Sequence, residues 1–413
     1  MQKKIFKFWT LFVSAMMISG LLGVSLSFGQ EMPRPGTVID KSNYKKYAYL
    51  FPEEWAPAFE DGFGGLLPLF IMKVAETRHY PMPKAFLDYS ARNKGKYSID
   101  AKGNIIQAYN REGLPFLDLQ PADKDFALKL MWNYDSRYQC DESMLLGKGG
   151  SFEKRRGEDI RVNQAMGPTL FFKNRMALSP KPDLANPIGL YKAGVFQYTA
   201  PESIKNTIML SYRYVDQNRP DDTYLYLPSL RRVIRAESGQ RSTPVLGSTQ
   251  ALDDFGLFDG RIPEFTYTIV KEQKILAVPE SKMTLQIAMA YKKKNELPVD
   301  TEGYEIRDVY AIDIKPKDAK YPQSKKRIYI DKENLWPYYA IAWDRAGKLW
   351  KIWFQTTKSH SMPGGQKLVF TNGLIGIDLQ FGMATQFVTD FKVNTDNFTY
   401  NDVTPQALLK RAR

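Results

Sequence analysis

From about Arg161 onward the apolar residues of this chain recur at every second position, and that period decides most of what it can fold into. Ile208, Leu210, Tyr212 and Tyr214 alternate with Met209, Ser211 and Arg213, the spacing of a strand with two unlike faces. Similar runs cover 224–233, 265–270, 284–291, 308–314 and 327–330. Trp336 to Trp343 and Leu349 to Gln355 flank Asp344-Arg345-Ala346-Gly347-Lys348, which reads as a hairpin loop in which Gly347 supplies the positive φ that closes the turn. These strands are sequential neighbours. The economical architecture over residues 161–413 is therefore one large, curved antiparallel sheet in a mainly β, α+β fold: a half-barrel with helices packed on or in its concave side.

The segment before it, residues 30–160, is expected to be mostly helical or irregular and to pack on that sheet as part of one integrated domain. Pro52, Pro57, Pro68, Pro81 and Pro83 interrupt it. Pro121 at a helix start, followed by Phe126, Leu130 and Tyr134, predicts an amphipathic helix. Lys148 to Glu158 is polar and Gly-rich and reads as a mobile loop. At the other end, Thr404 as N-cap and Pro405 at the first helical position open a short basic helix.

The N-terminus reads as an export signal. Lys3, Lys4 and Lys7 precede an apolar stretch from Leu11 to Leu26, and Ser27-Phe28-Gly29 ends in small residues. That pattern predicts a signal peptide at 1–29, cleaved after Gly29. No cysteine follows for lipid attachment, which implies a periplasmic, untethered chain, expected to be a monomer. The single cysteine, Cys140, excludes an internal disulfide. Loss of three lysines lowers the formal charge from +13 to +10. In an exported protein that excess points to anionic lipid or an acidic partner and away from nucleic acid.

The most distinctive segment joins Asp221-Asp222-Thr223-Tyr224-Leu225-Tyr226-Leu227-Pro228 to Leu230-Arg231-Arg232-Val233-Ile234-Arg235, then Gly239-Gln240-Arg241-Ser242, Gly247-Ser248 and Asp253-Asp254. Physically it is a strand, a Pro-directed turn and a second strand rich in arginine, closed by an acidic pair. Two readings stand. The arginines protect an edge strand with the acids as partners, or they form a fixed cationic ridge for a phosphate head group or an acidic surface.

This run, with Gly113-Leu114-Pro115-Phe116, Met131-Trp132-Asn133 and Trp343-Asp344-x-x-Gly347-x-Leu349-Trp350, resembles a family of exported bacterial proteins of unknown function related to the LolA and LolB lipoprotein carriers. The resemblance covers nearly the whole chain after the signal. It departs at Gly247-Ser248-Thr249 and Leu252, where the related carriers have Gly-Ser-Asp and an aromatic. It implies a LolA-like sheet around an apolar cavity for lipid, and a role beside RND-type exporters in moving hydrophobic compounds to the outer membrane. On that reading Trp132, Tyr212, Tyr224, Tyr226, Trp336, Tyr338 and Trp350 line the cavity. Arg231, Arg232, Arg235, Arg241, Asp253 and Asp254 hold a head group or dock a partner.

Catalytic constellations are thin, and no cofactor or metal is expected. His79 and His360 are the only histidines and fit no zinc or nucleophile spacing. The alternative to a carrier is an envelope glycan-binding protein or glycosidase using an acidic pair.

Overall fold

The two-residue period is realised as a single extended sheet whose two faces are both covered. The computed structural model describes residues 31–412 apart from 107–111, 237–240, 246 and 364, so the expected signal peptide lies outside the described residues. The described residues from Arg34 onward group as one compact unit.

The first strands are short: β1 (Val38–Ile39), β2 (Met72–Val74), and a separate hairpin of β3 (Ser98–Ile99) and β4 (Ile105–Ile106). Six then follow in a meander: β5 (Glu142–Arg155), β6 (Arg161–Phe171), β7 (Leu190–Ala200), β8 (Ile208–Tyr214), β9 (Asp222–Leu227) and β10 (Arg232–Ala236). After a long crossing segment come β11 (Phe265–Ala277), β12 (Glu302–Pro316), β13 (Gln323–Asp331), β14 (Pro337–Asp344), β15 (Leu349–Ser361), β16 (Lys367–Asp378), β17 (Met383–Val388) and β18 (Phe391–Val393). The main sheet holds sixteen of these, running β1, β2, β12 to β17, then β5 to β10, with β11 beside β12 and β18 beside β5. All pairs are antiparallel except β2 with β12. Register shifts in the β5–β6, β6–β7, β13–β14 and β15–β16 pairs bend and coil the strands into a deep curve.

The helices are α1 (Pro57–Glu60), α2 (Gly62–Gly65), α3 (Lys84–Arg92), α4 (Phe126–Ser136), α5 (Leu285–Lys293) and α6 (Pro405–Arg411). On the outer face, Trp55, Phe59 and Phe70 from the N-terminal segment pack against Tyr304, Tyr339 and Phe354. Val403 and Leu408 cover Leu210 and Tyr212 farther along the same face. On the inner, concave face, Met131 and Trp132 of α4 meet Ile312, Ile328, Ala340 and Trp353. Burial from both sides explains why β14 reads Pro-Tyr-Tyr-Ala-Ile-Ala-Trp with no polar alternation.

Three local expectations are corrected. Residues 285–291 belong to α5 (Leu285–Lys293), and Thr284 caps it, its Oγ1 accepting from the Ile287 N–H. The apparent alternation of Leu285, Ile287, Met289 and Tyr291 misleads because Ile287 and Met289 are exposed while Ala288 is buried, which is helical spacing. The stretch from Lys148 belongs to β5, which continues to Arg155. Its Gly150 serves a close approach, since a Cβ there would lie 2.5 Å from the Asn163 carbonyl oxygen. The sheet therefore begins well before Arg161. Helix α4 starts at Phe126, after Asp125 in the left-handed region, and not at Pro121.

The segment between β10 and β11 crosses the inner face as a strap. Lys351 Nζ donates to the Thr249 carbonyl at 3.0 Å, Thr249 Oγ1 donates to the Gly376 carbonyl at 3.2 Å, and Thr385 Oγ1 accepts from the Thr249 N–H at 3.0 Å. Gly376 is what lets the strap lie this close, because a Cβ there would sit 2.2 Å from Gln250 Nε2 and 2.6 Å from Thr249 Oγ1. Gly376→Ala is expected to cost about 1–3 kcal/mol by overpacking, read in urea as a lower midpoint with an unchanged slope.

Candidate functional site

Residues directly opposite one another in neighbouring strands share a face, and one such row is unusually small. Ser143 on β5 faces Thr169, Thr169 faces Gly194, Gly194 faces Ser211, Ser211 faces Thr223, and Thr223 faces Ala236. A strip with no side chain larger than threonine thus crosses six strands on the inner face. One row over lie Phe196, Met209, Leu225 and Ile234. On the other side lie Phe171, Lys192 and Arg213.

The strap passes above this strip without filling the gap. Leu252, Phe255 and Phe258 form the roof and Trp336, Phe370 and Phe391 the wall of a cavity of about 250 Å³, with Ser143, Thr169, Gly194 and Ser211 on its floor. The volume lies just below the usual range for small-molecule sites, and the lining is of the usual kind: mainly apolar with a few convergent polar groups.

Its polar end is an ion network. Arg213 lies 2.9 Å from Asp221, 3.0 Å from Asp259 and 3.6 Å from Asp135. Arg241, from the strap, lies 2.8 Å from Asp253 and 3.1 Å from both Asp221 and Asp259. Lys192 reaches Asp259 at 2.6 Å. Burial pushes the Asp259 carboxyl up, but the charges of Arg213, Lys192 and Arg241 outweigh it and hold the group well below the usual carboxylate range. Asp221 is lowered likewise by Arg213 and Arg241 against its burial. For Asp253 burial wins and its pKa is raised. At the cavity's rim Arg137 lies between two rings, its Cζ 4.1 Å from the Tyr134 centroid and 4.7 Å from that of Trp336.

Residues 38–409 match the model of the family described as "Protein of unknown function (DUF1329)". The chain belongs to this family. Its structure is similar to a domain from Vibrio parahaemolyticus named for outer membrane lipoprotein sorting, at 18% identity over 68% of this chain and 98% of that one, with a TM-score of 0.49. It is also similar to a DUF1329 family protein from Desulfovibrio piger (14% identity, 68% and 96% coverage, TM-score 0.48). A third similar structure is a LolA superfamily protein from Nitrosomonas europaea (13%, 67% and 97%, 0.42). No curated protein sequence matches.

In this DUF1329 chain the residues singled out from sequence fall in several places. Trp336 and Arg241 line the cavity. Tyr212 borders it from the floor strand, but its ring turns to the outer face, where its hydroxyl donates to the Val403 carbonyl at 2.6 Å. Tyr224 and Tyr226 lie on that same outer face, paired across from Leu210 and Ile208. Trp132 is buried in the inner core with Nε1 donating to the Gly103 carbonyl, beside a crevice of only about 20 Å³. Tyr338 is wholly buried away from the cavity. Trp350 bonds Asp378 at 3.0 Å. The arginine ridge divides as well. Arg231 sits exposed in the turn at φ 50°, Arg232 is exposed beside it, and Arg235 pairs with Asp222. Asp254 is taken by Lys326. Lys326 is itself buried, and its neighbour Arg327 pairs with Asp313.

The floor residues and Lys192, Arg213 and Asp259 were not singled out from the sequence. The signal was present in the half of each alternation that reads as polar, Lys192 with Gly194 and Ser211 with Arg213, small or charged groups on a face that is nonetheless buried.

Arg213→Met is expected to cost about 3–5 kcal/mol, because Asp221 and Asp259 stay buried with less compensation. Carboxyls whose folded pKa is depressed contribute stability above about pH 4, lost as pH falls toward the folded value. Acid denaturation of the wild type should therefore show a steep loss of stability below about pH 4, and Arg213→Met should flatten it.

Proposed function

We propose that this protein is a periplasmic carrier that holds a lipid or another hydrophobic compound in the cavity over β5 to β8 and passes it between an RND-type exporter and the outer membrane. The observation that carries the reading is the strip of small residues beneath an aromatic roof. A folded interior is ordinarily packed to near-crystal density, and a sheet face tiled with Ser, Thr and Gly under a bridging strap leaves space that an apolar guest would fill. The row of Met209, Leu225 and Ile234 continues past the cavity toward β10, the sheet's edge, and Leu225 and Ile234 are only half-buried. That row gives a guest an apolar track to the outside.

The periplasmic setting rests on the export signal read in the sequence and the net positive charge after it. Among the described residues no helix is long and apolar enough to cross a membrane. Exporter and outer-membrane partners are part of the proposal on the family resemblance alone. A glycosidase draws no support from this arrangement, since Asp221, Asp253, Asp254 and Asp259 are each held by a cation.

Protein purified from the periplasm should carry an amphiphile that solvent extraction and mass spectrometry identify. A protein that is ligand-free in native mass spectra and also fails to bind fatty-acyl probes would sink the reading. Gly194→Leu offers a sharper control. A Cβ at Gly194 meets only the Ser211 and Thr169 hydroxyls, at 3.4 and 3.6 Å, so the added chain projects into the cavity. It should weaken acyl-probe binding at least about tenfold, roughly 1.4 kcal/mol, without lowering the thermal midpoint.

A further inference from the structure

Among the described residues, seven charged ones line the cavity, and six of them are satisfied by one another. Lys192, Arg213 and Arg241 pair with Asp135, Asp221 and Asp259. The seventh is Arg137. It is only 4% exposed, and among the described residues no carboxylate lies within ion-pair distance of it.

The surroundings of its guanidinium are specific. The rings of Tyr134 and Trp336 flank the group, and Nη1 donates to the Tyr134 carbonyl at 2.6 Å. Nε, although buried, has no acceptor among the described residues. Stacking on aromatic rings offsets part of the desolvation of a cation, yet it leaves the in-plane donors unsatisfied. A buried guanidinium with an unmade hydrogen bond is costly unless an anion completes it. The Nε side of an arginine presents two parallel N–H groups to a planar carboxylate or to a phosphate, the bidentate geometry that distinguishes arginine from lysine.

We infer that Arg137 is the anchor for the anionic head of the cavity's guest, so that the ligand is an amphiphile with a carboxylate or phosphate group at the Trp336 end and its apolar chain over the small strip. The inference rests on the carrier reading and narrows it. A neutral hydrocarbon would leave the Nε–H unmet, and the uncharged oxygen of an alcohol or ester could accept from it without balancing the guanidinium charge, whereas a fatty acid or an alkyl phosphate does both. The ion network cannot serve, because its cations are already neutralised by carboxylates that no incoming anion would displace without exposing them to like charge.

The test compares palmitate, hexadecyl phosphate and hexadecanol, which share a chain and differ in the head, by quenching of intrinsic tryptophan fluorescence and by calorimetry on the wild-type protein. At least one anionic ligand should bind about tenfold or more tightly than the alcohol. The stronger of the two identifies the head group as carboxylate or phosphate. Arg137→Gln, checked for an unchanged thermal midpoint, should remove that preference while leaving hexadecanol binding within about twofold of wild type. Arg137→Lys, which keeps the charge without the fork, should restore the preference in part. Equal wild-type affinity for all three ligands would overturn the anchor and leave the carrier reading standing. Failure of all three to bind would overturn both. The wild-type comparison needs no substitution, so it decides the matter even if the Arg137 variants do not fold.

Discussion

β10 and β11 lie at opposite ends of one open sheet, and the chain that joins them has to cross the concave face. That constraint governs the interior. A crossing segment carries backbone N–H and C=O groups, and polar side chains, into a region without water, and each must find a partner there. The residues from Arg241 to Asp259 supply those partners by reaching in two directions. Toward the meander, Arg241 joins Asp221 on the approach to β9. Toward the second half of the sheet, Asp254 meets Lys326 of β13, and Thr249 meets Lys351, Gly376 and Thr385 of β15, β16 and β17. The strap is thereby tied to both halves of the sheet, and the cavity is what remains beneath it.

The sequence segment most characteristic of the family resemblance is this strap and the hairpin before it. Its distinctive residues look like a ligand-binding ridge when written in a line, because Arg231, Arg232, Arg235 and Arg241 follow one another within a few turns of chain. In space the hairpin turns Arg231 and Arg232 out to solvent and leaves Arg235 on Asp222, whereas Arg241 is drawn into the core. Of the two readings open from the sequence, an edge protected by charge describes Arg235, and a structural tie describes Arg241. Neither Asp253 nor Asp254 faces an open cleft.

The architecture was legible in the chain for a physical reason. Strand faces that differ in polarity imprint a period of two, and Gly347 marked its turn because only a residue without a Cβ takes that backbone angle without strain. The helix of residues 285–293 was not legible: Ile287 and Met289 are apolar but exposed, and exposure is a property of neighbours, not of residue type. β5 was missed because its glycines read as loop, although Gly150 is there to admit the Asn163 carbonyl. The cavity was harder still. Alternation assigns residues to two faces but does not say which face is hollow when both are covered. The bulky set of Tyr212, Tyr224 and Tyr226 was the natural candidate for a binding wall, yet those rings fill the outer core. The hollow belongs to the set that looks least like a pocket, Thr169, Gly194 and Ser211.

That inversion follows from packing. A large ring on the inner face would fill the gap under the strap and leave no cavity, so a void inside a dense fold has to be written in small residues on one side and supported by large ones on the other. Removing side-chain volume from a core is destabilising in proportion to the space left, and the strip of Ser, Thr and Gly would let the strap settle onto the sheet if nothing held it off. Arg241, Asp253, Asp221, Arg213 and Asp259 do hold it. They form a spacer of interlocked ion pairs whose members cannot approach farther without clashing nor separate without leaving a buried ion uncompensated. The ion network and the emptiness beside it are therefore one feature seen from two sides, and a change that loosens the first should be felt first as a change in the shape of the second.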